Sequence, residues 1–449
     1  MTKKLSRSSE AALPRISAAE TAALLLAAGG PLFAKGVMVR RPWIVGILQA
    51  TAAEIGEVKA LQALRRRYGA GPLMLRLPFR EQAVLVSPEH VRRVLAETPE
   101  PFESDSSEKH ATLAHFEPAG SLISRGKDRA VRRAFNEQVL ETGCPVHGLA
   151  SRFGRIIAEE AGALIDDAER AGALDWGAFK DAWFRTVRRC TFGDAAAGDT
   201  DLIRQMIALR SRGNWAFLLP KRRTLRARTL SRIAAYVHEA APDTLAALAK
   251  AAAAPGSRPE DQIAQWLFAF DAAGIATFRA LAVLASSTTL TARARGDSTA
   301  ELPFLRACVL EAVRLWPTTP AILRQTDRDT QWDGAVMPAG AGVLIHVPFL
   351  HRDDERLPFA NRFAPDIWLD GEAPRWTLIP FSGGTGECPA RNLVLLLASR
   401  TLAAMIGRHD VVIPAGRRLD PDAMPATLDQ FHLSVAVTTM HGHDDAGER

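Results

Sequence analysis

One cysteine carries the most distinctive chemistry in this chain. The segment 380–394 reads P-F-S-G-G-T-G-E-C-P-A-R-N-L-V, a glycine-rich loop that ends at a Cys-Pro pair and opens an apolar run. Proline suits the first position of a helix, so Cys388 stands at a helix N-terminus, where free N–H groups and the helix dipole favour a thiolate. Three chemistries compete for such a residue. A phosphate-cradling loop would need G-K-[ST] after its glycines, and none follows. A cysteine nucleophile needs a base, and no histidine lies nearby in sequence. The third is a thiolate ligand to a metal.

Other residues are spaced for chemistry upstream. Glu311 and Arg314, in L-E-A-V-R-L-W-P, are three apart on a helical run and share a face, which permits an ion pair; a weak surface pair is the bland alternative. Ala273 and Thr277, in A-G-I-A-T, lie one helical turn apart in a long apolar stretch. There a small residue and a hydroxyl would face one site, although a threonine in such a helix often bonds only to a carbonyl of the preceding turn. Arg129 and Arg133, in G-K-D-R-A-V-R-R-A-F, are four apart and offer two cations to one edge; alone they read as a solvated basic face.

Taken in order, these motifs resemble the cytochrome P-450 superfamily. Phe381, Gly384 and Cys388 fill its haem-binding pattern F-x-x-G-x-x-x-C, Glu311 and Arg314 its E-x-x-R helix, and 273–277 its oxygen-binding helix. Between them come Arg324, V-M-P-A-G-A-G-V, H-R-D-D and F-A-P-D-I-W in the family's succession. The resemblance runs from about Leu61 to the C-terminus. It implies a mainly α fold with a small sheet portion around a buried b-type haem, with Cys388 as the iron ligand and Thr277 and Ala273 on the distal side. Arg129, Arg133 and Arg324 would hold the propionates, and Phe381, Ser382 and Gly384 would line the proximal loop. A thiolate ligand pushes electron density toward iron and favours O–O cleavage. The implied activity is an O2-dependent monooxygenase acting on an apolar small molecule, with electrons from a separate ferredoxin or flavodoxin and its NAD(P)H reductase. A peroxide-driven haem enzyme and a haem-containing binding protein without turnover are the alternatives.

The pattern fails at three places. The acid expected before the helix threonine is Ala276, and Asp271, six residues away from Thr277, lies about 120° round the helix at 3.6 residues per turn. The basic residue expected two before the cysteine is Gly386. The arginine expected before Trp368 is Ile367, so Glu311 and Arg314 need another partner, for which Arg362 is the candidate.

Helical periodicity dominates the elements that must position these groups, at 58–68, 153–171, 225–253, 261–292, 302–315 and 391–406. Strand-like runs are short: 73–77 and 83–86, spaced for a hairpin, then 343–347 and 433–438. With no repeats or linkers, residues 61–449 are expected to form a single catalytic domain preceded by an extension and leading helices over 1–60. Of 449 residues 47% are hydrophobic, and 56 bases stand against 50 acids, a mixed surface that argues against nucleic acid. Four cysteines show no zinc or disulfide spacing, and Cys144, Cys190 and Cys308 read as buried thiols in a reducing compartment. Lys3, Lys4 and Arg7 precede an apolar run at 21–28 that is too short to span a bilayer, so no membrane association and a cytoplasmic location are expected. Substrate-pocket walls are expected after Phe102, at 214–219, at 318–323 and near Phe431, with the cations of 221–232 facing solvent.

Overall fold

The computed structural model describes residues 11–439 apart from Arg408. Six helices carry the residues of interest: α1 (Gly126–Val139), α2 (Trp176–Phe192), α3 (Thr200–Gly213), α4 (Pro259–Leu284), α5 (Pro303–Leu315) and α6 (Arg391–Ile406). The central one is α4. Pro259 opens it and Glu260 and Asp261 fill its first turn, a favourable match to the helix dipole. By length and hydropathy α4 would pass as a membrane span, yet most of it is buried inside the protein. It packs against α2, α5 and α6, and Leu267, Phe278, Leu305, Val309, Leu395 and Leu402 belong to one apolar core.

Two expected helices break. The run 261–292 stops at Leu284 because the Ser286 hydroxyl turns back onto the Ala282 carbonyl and Ser287 caps a new helix, Thr288–Arg295, by accepting the Leu290 N–H. The run 225–253 splits into Arg223–His238 and Leu245–Ala251 around Pro242, with Thr244 capping the second piece. Helix α2 was not expected. Its Trp, Phe, Thr and Val residues are poor helix formers, and burial on nearly every side overrides that preference.

The largest sheet has five strands: β1 (Leu73–Met74), β2 (Gln82–Leu85), β3 (Phe102–Glu103), β4 (Ala321–Thr326) and β5 (Gly342–His346), in the spatial order β1-β2-β5-β4-β3. The expected hairpin pairs Leu73 with Val84 and Met74 with Ala83. Lys3, Lys4 and Arg7 lie outside the described residues. The apolar run that follows them starts in an α-helix, Ala18–Leu24, opened by a Ser17–Glu20 capping box, and continues into a π-helical turn, Leu25–Gly29. Leu13, Ile16 and Leu24 join the same apolar cluster as Leu61 and the sheet. Cys190 and Cys308 are buried as expected, but Cys144, in the loop after α1, is exposed.

Candidate functional site

The site assembles where α6 begins. The Cys388 N–H donates to the Phe381 carbonyl at 2.9 Å, closing the loop on itself. Ser382 and Gly384 both have left-handed backbone, with φ of 65° and 61°. At Gly384 a Cβ would stand 2.1 Å from the Leu95 carbonyl oxygen, so only glycine fits. Phe381 is half-buried against the main core, as is Cys388. Burial pushes the Cys388 thiol up; the Ala390 N–H and the Arg133 guanidinium work in the opposite direction and do not prevail. The helix N-terminus therefore does not secure a thiolate by itself, and a metal cation is what would.

Three arginines from two elements meet on the three residues before this cysteine. Arg129 of α1 donates to the Thr385 carbonyl at 3.3 Å, and Arg133, one turn on, donates to the Glu387 carbonyl at 2.6 Å. Between them Arg324 of β4 occupies the space a side chain at 386 would need, its Nη2 lying 2.6 Å from where that Cβ would be. Arg324 is 4% exposed and finds only the Thr98 hydroxyl at 3.0 Å and the Leu323 carbonyl at 2.9 Å. Burial, with Arg129 adding to it, pulls its guanidinium down to about 10. Lys109, which sequence reasoning missed, is a fourth cation here. It donates to the carbonyls of Ser104 and Leu323, and burial followed by repulsion from Arg324 drives its ammonium well below the usual lysine range. A lone lysine in a polar helix carries no sequence signal of burial. Arg133 is paired with Glu137 at 2.5 Å, but Arg324 and Lys109 have no carboxylate partner, which is costly for buried cations and suits the cluster to an anion.

The ion pair is fully buried. Arg314 donates from Nε and Nη2 to both Glu311 oxygens at 2.7 Å, and from Nη1 to the carbonyls of His351 and Ala360 at 3.0 Å. The candidate partner Arg362 is corrected: its carbonyl accepts from Arg314, but its guanidinium points outward to Asp422. The place of the absent arginine is filled by the Trp368 indole, which donates to Glu311 Oε1 at 2.8 Å, and by the Ala364 N–H, which donates to Oε2 at 2.8 Å. On α4 the Thr277 hydroxyl donates to the Ala273 carbonyl at 2.8 Å, the ordinary bond of a helical threonine, and keeps its lone pairs for another donor. Asp271 is held by Arg210 of α3 at 2.5 Å.

The expected pocket walls divide between two cavities. Residues after Phe102 and those at 214–219 meet in one of about 710 Å³, beside Lys221 and Arg223. Thr318, Pro320 and Gln430 line another of about 250 Å³.

The Cytochrome P450 family model matches residues 287–431, which contain Glu311, Arg314, Arg324 and Cys388. The fold is similar to that of retinoic acid bound cyanobacterial CYP120A1, with a TM-score of 0.69 over 84% of this chain and 94% of the other, at 17% identity. Over residues 287–431 this chain matches the cytochrome P450 family, and its fold is that of a P450. It is 33% identical over 141 residues to cytochrome P450 4ae1 of Drosophila melanogaster, covering 31% of this chain and 28% of the relative. It is 31% identical over 110 residues to cyclooctat-9-en-7-ol 5-monooxygenase of Streptomyces melanosporofaciens, covering 24% of each. The matches thus span about a quarter of the length of these curated relatives.

Haem b is the P450 cofactor, and the residues present fit it. Among the described residues no group of three or more His, Cys, Asp or Glu is placed to hold a metal. An iron at Cys388 must therefore arrive with its other ligands, as a porphyrin supplies them. The cations at 109, 129, 133 and 324 answer the two carboxylates such a group carries.

Proposed function

We propose that this protein is a haem-thiolate monooxygenase that oxidises an apolar small molecule. The observation that carries the reading is the set of cations around the Cys388 loop, in which Arg129, Arg324 and Lys109 have no ion-pair partner and Arg324 is almost fully buried. Haem, when bound there, supplies O2 activation: one oxygen atom enters the substrate and the other leaves as water, consuming two electrons and two protons. The residues of this chain do the rest. Cys388 would ligate the iron, with Ala390 N–H as hydrogen-bond donor to its sulfur. Arg129, Arg133, Arg324 and Lys109 would hold the carboxylates of the haem, while Ala273 would leave room on α4 and Thr277 would offer a hydroxyl. Electrons are assigned to a separate ferredoxin or flavodoxin and its NAD(P)H reductase, in the cytoplasm. The relative named as a 5-monooxygenase has an activity of this class in its name.

A peroxide-driven reaction is the second reading. It is favoured by Ala276, which has no proton to give, and by Asp271, whose carboxylate is committed to Arg210. Two measurements test the pair. The reduced protein with carbon monoxide should show the red-shifted thiolate band, and Cys388→Ser should lose it; retention of that band in the variant refutes the ligand. Product yield with a surrogate redox pair and O2, against yield with hydrogen peroxide alone, then separates the two oxidants.

A further inference from the structure

The smaller cavity has the chemistry of a second binding site. Its wall is formed by α4, the loop after α5, residues 424–430 and the N-terminal segment 35–59. Arg279 lies two residues past Thr277, hence about 200° round α4, so the cavity opens on the opposite face from that hydroxyl. Five cations on this wall stand against three carboxylates, and each carboxylate is engaged. Glu54 takes Lys35 and the Thr427 hydroxyl, Glu57 lies 3.3 Å from His346, and Asp354 takes Lys59 at 3.0 Å.

Arg40, Arg279 and Arg352 are left without an acid, and Arg352 is taken up by Asn361 Oδ1 and the Met424 and Pro425 carbonyls. Arg40 donates to the carbonyls of Gly36 and Thr318, and Arg279 to those of Trp316 and Leu428 and to Gln430 Oε1. The Arg279 Nε–H and the Gln430 amide nitrogen are buried with no acceptor, on a glutamine only 1% exposed. The amide orientation is fixed, because its oxygen accepts from Arg279. Burial, then repulsion from Arg40, pulls the Arg279 guanidinium down to about 9. Two facing guanidiniums and two unpaired donors need an acceptor carrying negative charge. Much of the remaining wall is apolar, including Ile275, Trp316 and Leu428, and the volume of about 250 Å³ falls below the roughly 300–1,000 Å³ of drug-sized sites.

We propose that this cavity binds a small organic carboxylate, its carboxylate held by Arg40, Arg279 and the Gln430 amide and its compact apolar body against α4. The site does not depend on the oxidative function. The haem-loaded protein would be titrated calorimetrically with benzoate and hexanoate, and with benzyl alcohol and hexanol as uncharged counterparts, while the Soret band is followed. Both carboxylates should bind and raise the thermal midpoint with the Soret band unmoved, and the alcohols should bind at least tenfold more weakly. Arg40→Gln and Arg279→Gln should each weaken carboxylate binding about tenfold or more. Arg279 also holds two loops, so Arg40→Gln decides if the other variant does not fold. No binding at millimolar carboxylate would overturn the proposal, as would equal binding of acid and alcohol. A Soret shift that persists in Arg40→Gln would do the same, since it places the ligand over the haem.

Discussion

Arg324 should act with opposite signs on the haem-free and haem-loaded protein. In the haem-free fold it is an almost fully buried cation with no carboxylate. Burial pulls its guanidinium down to about 10, which at about 1.4 kcal/mol per decade is a penalty on the order of 3 kcal/mol. Because the folded value is the lower one, that penalty is present at every pH below about 10 and fades only as pH rises from there toward the ordinary arginine value. Replacement by methionine removes the penalty together with two neutral-acceptor hydrogen bonds of about 1 kcal/mol each. Thr98 is not orphaned, since its hydroxyl still donates to the Val94 carbonyl at 2.8 Å. The haem-free Arg324→Met protein should therefore be as stable as wild type or about 1 kcal/mol more stable. With haem bound, one charge-assisted bond of about 1.5–3 kcal/mol is lost, and haem should dissociate ~10- to 100-fold more readily. Urea unfolding of the haem-free form and haem transfer to apomyoglobin from the loaded form read the two effects. Equal destabilisation of both forms, with haem release unchanged, would refute the argument.

Three further outcomes follow from the geometry. Gly384→Ala combines a left-handed residue, ~1–2 kcal/mol, with overlap on a backbone carbonyl, whereas Gly386→Ala meets a side-chain tip, the Arg324 Nη2, and no backbone; the thermal midpoint of the haem-free protein should fall further in the first than in the second, and equal effects would contradict the steric account. Trp368→Phe removes a donor from the buried Glu311 carboxylate and should cost ~1.5–3 kcal/mol, while Arg362→Ala, which breaks only an exposed pair, should stay within about 0.5 kcal/mol of wild type by urea unfolding. His351 is buried and neutral: Nδ1–H donates to the Arg314 carbonyl, Nε2 accepts the Ile379 N–H, and burial pulls the imidazole down to about 3. A base with a depressed native value loses stability as pH falls through its unfolded value of 6.5 toward 3, at up to about 1.4 kcal/mol per pH unit; urea midpoints of His351→Gln from pH 7 to 4 should fall less steeply, and identical slopes would rule His351 out.

How far the sequence could be read depended on whether a signal was local. Helix α6 was legible residue for residue, because an Ala/Leu/Arg run follows a Cys-Pro start. Helix α4 was found but overextended, since the apolar run continues across Ser286 and Ser287 and only their back-bonding and capping end it. The cysteine and the three arginines were legible through spacing and order. What they touch was not: Arg133 and the Glu387 carbonyl are 254 positions apart, and Arg210 and Asp271 are 61 apart. Lys109 and Trp368 were invisible as site residues because their importance comes from burial beside charges contributed by distant strands and loops.

The three departures from the family pattern do not carry equal weight. At Gly386 the missing side chain and the Arg324 guanidinium exclude one another, so the loss of one cation makes the room that another fills. At Ile367 the neighbouring indole and a backbone N–H satisfy Glu311, and backbone carbonyls satisfy Arg314, so the pair keeps full hydrogen bonding without a third charge. At Ala276 nothing on α4 takes over: Asp271 faces Arg210 and the Thr277 hydroxyl turns to Ala273. Glu117 adds a buried carboxyl with neither oxygen partnered, pushed well above the usual carboxylate range by burial and then by Asp261. The departures thus spare the contacts around Cys388 and Glu311 and fall on the acid position of α4.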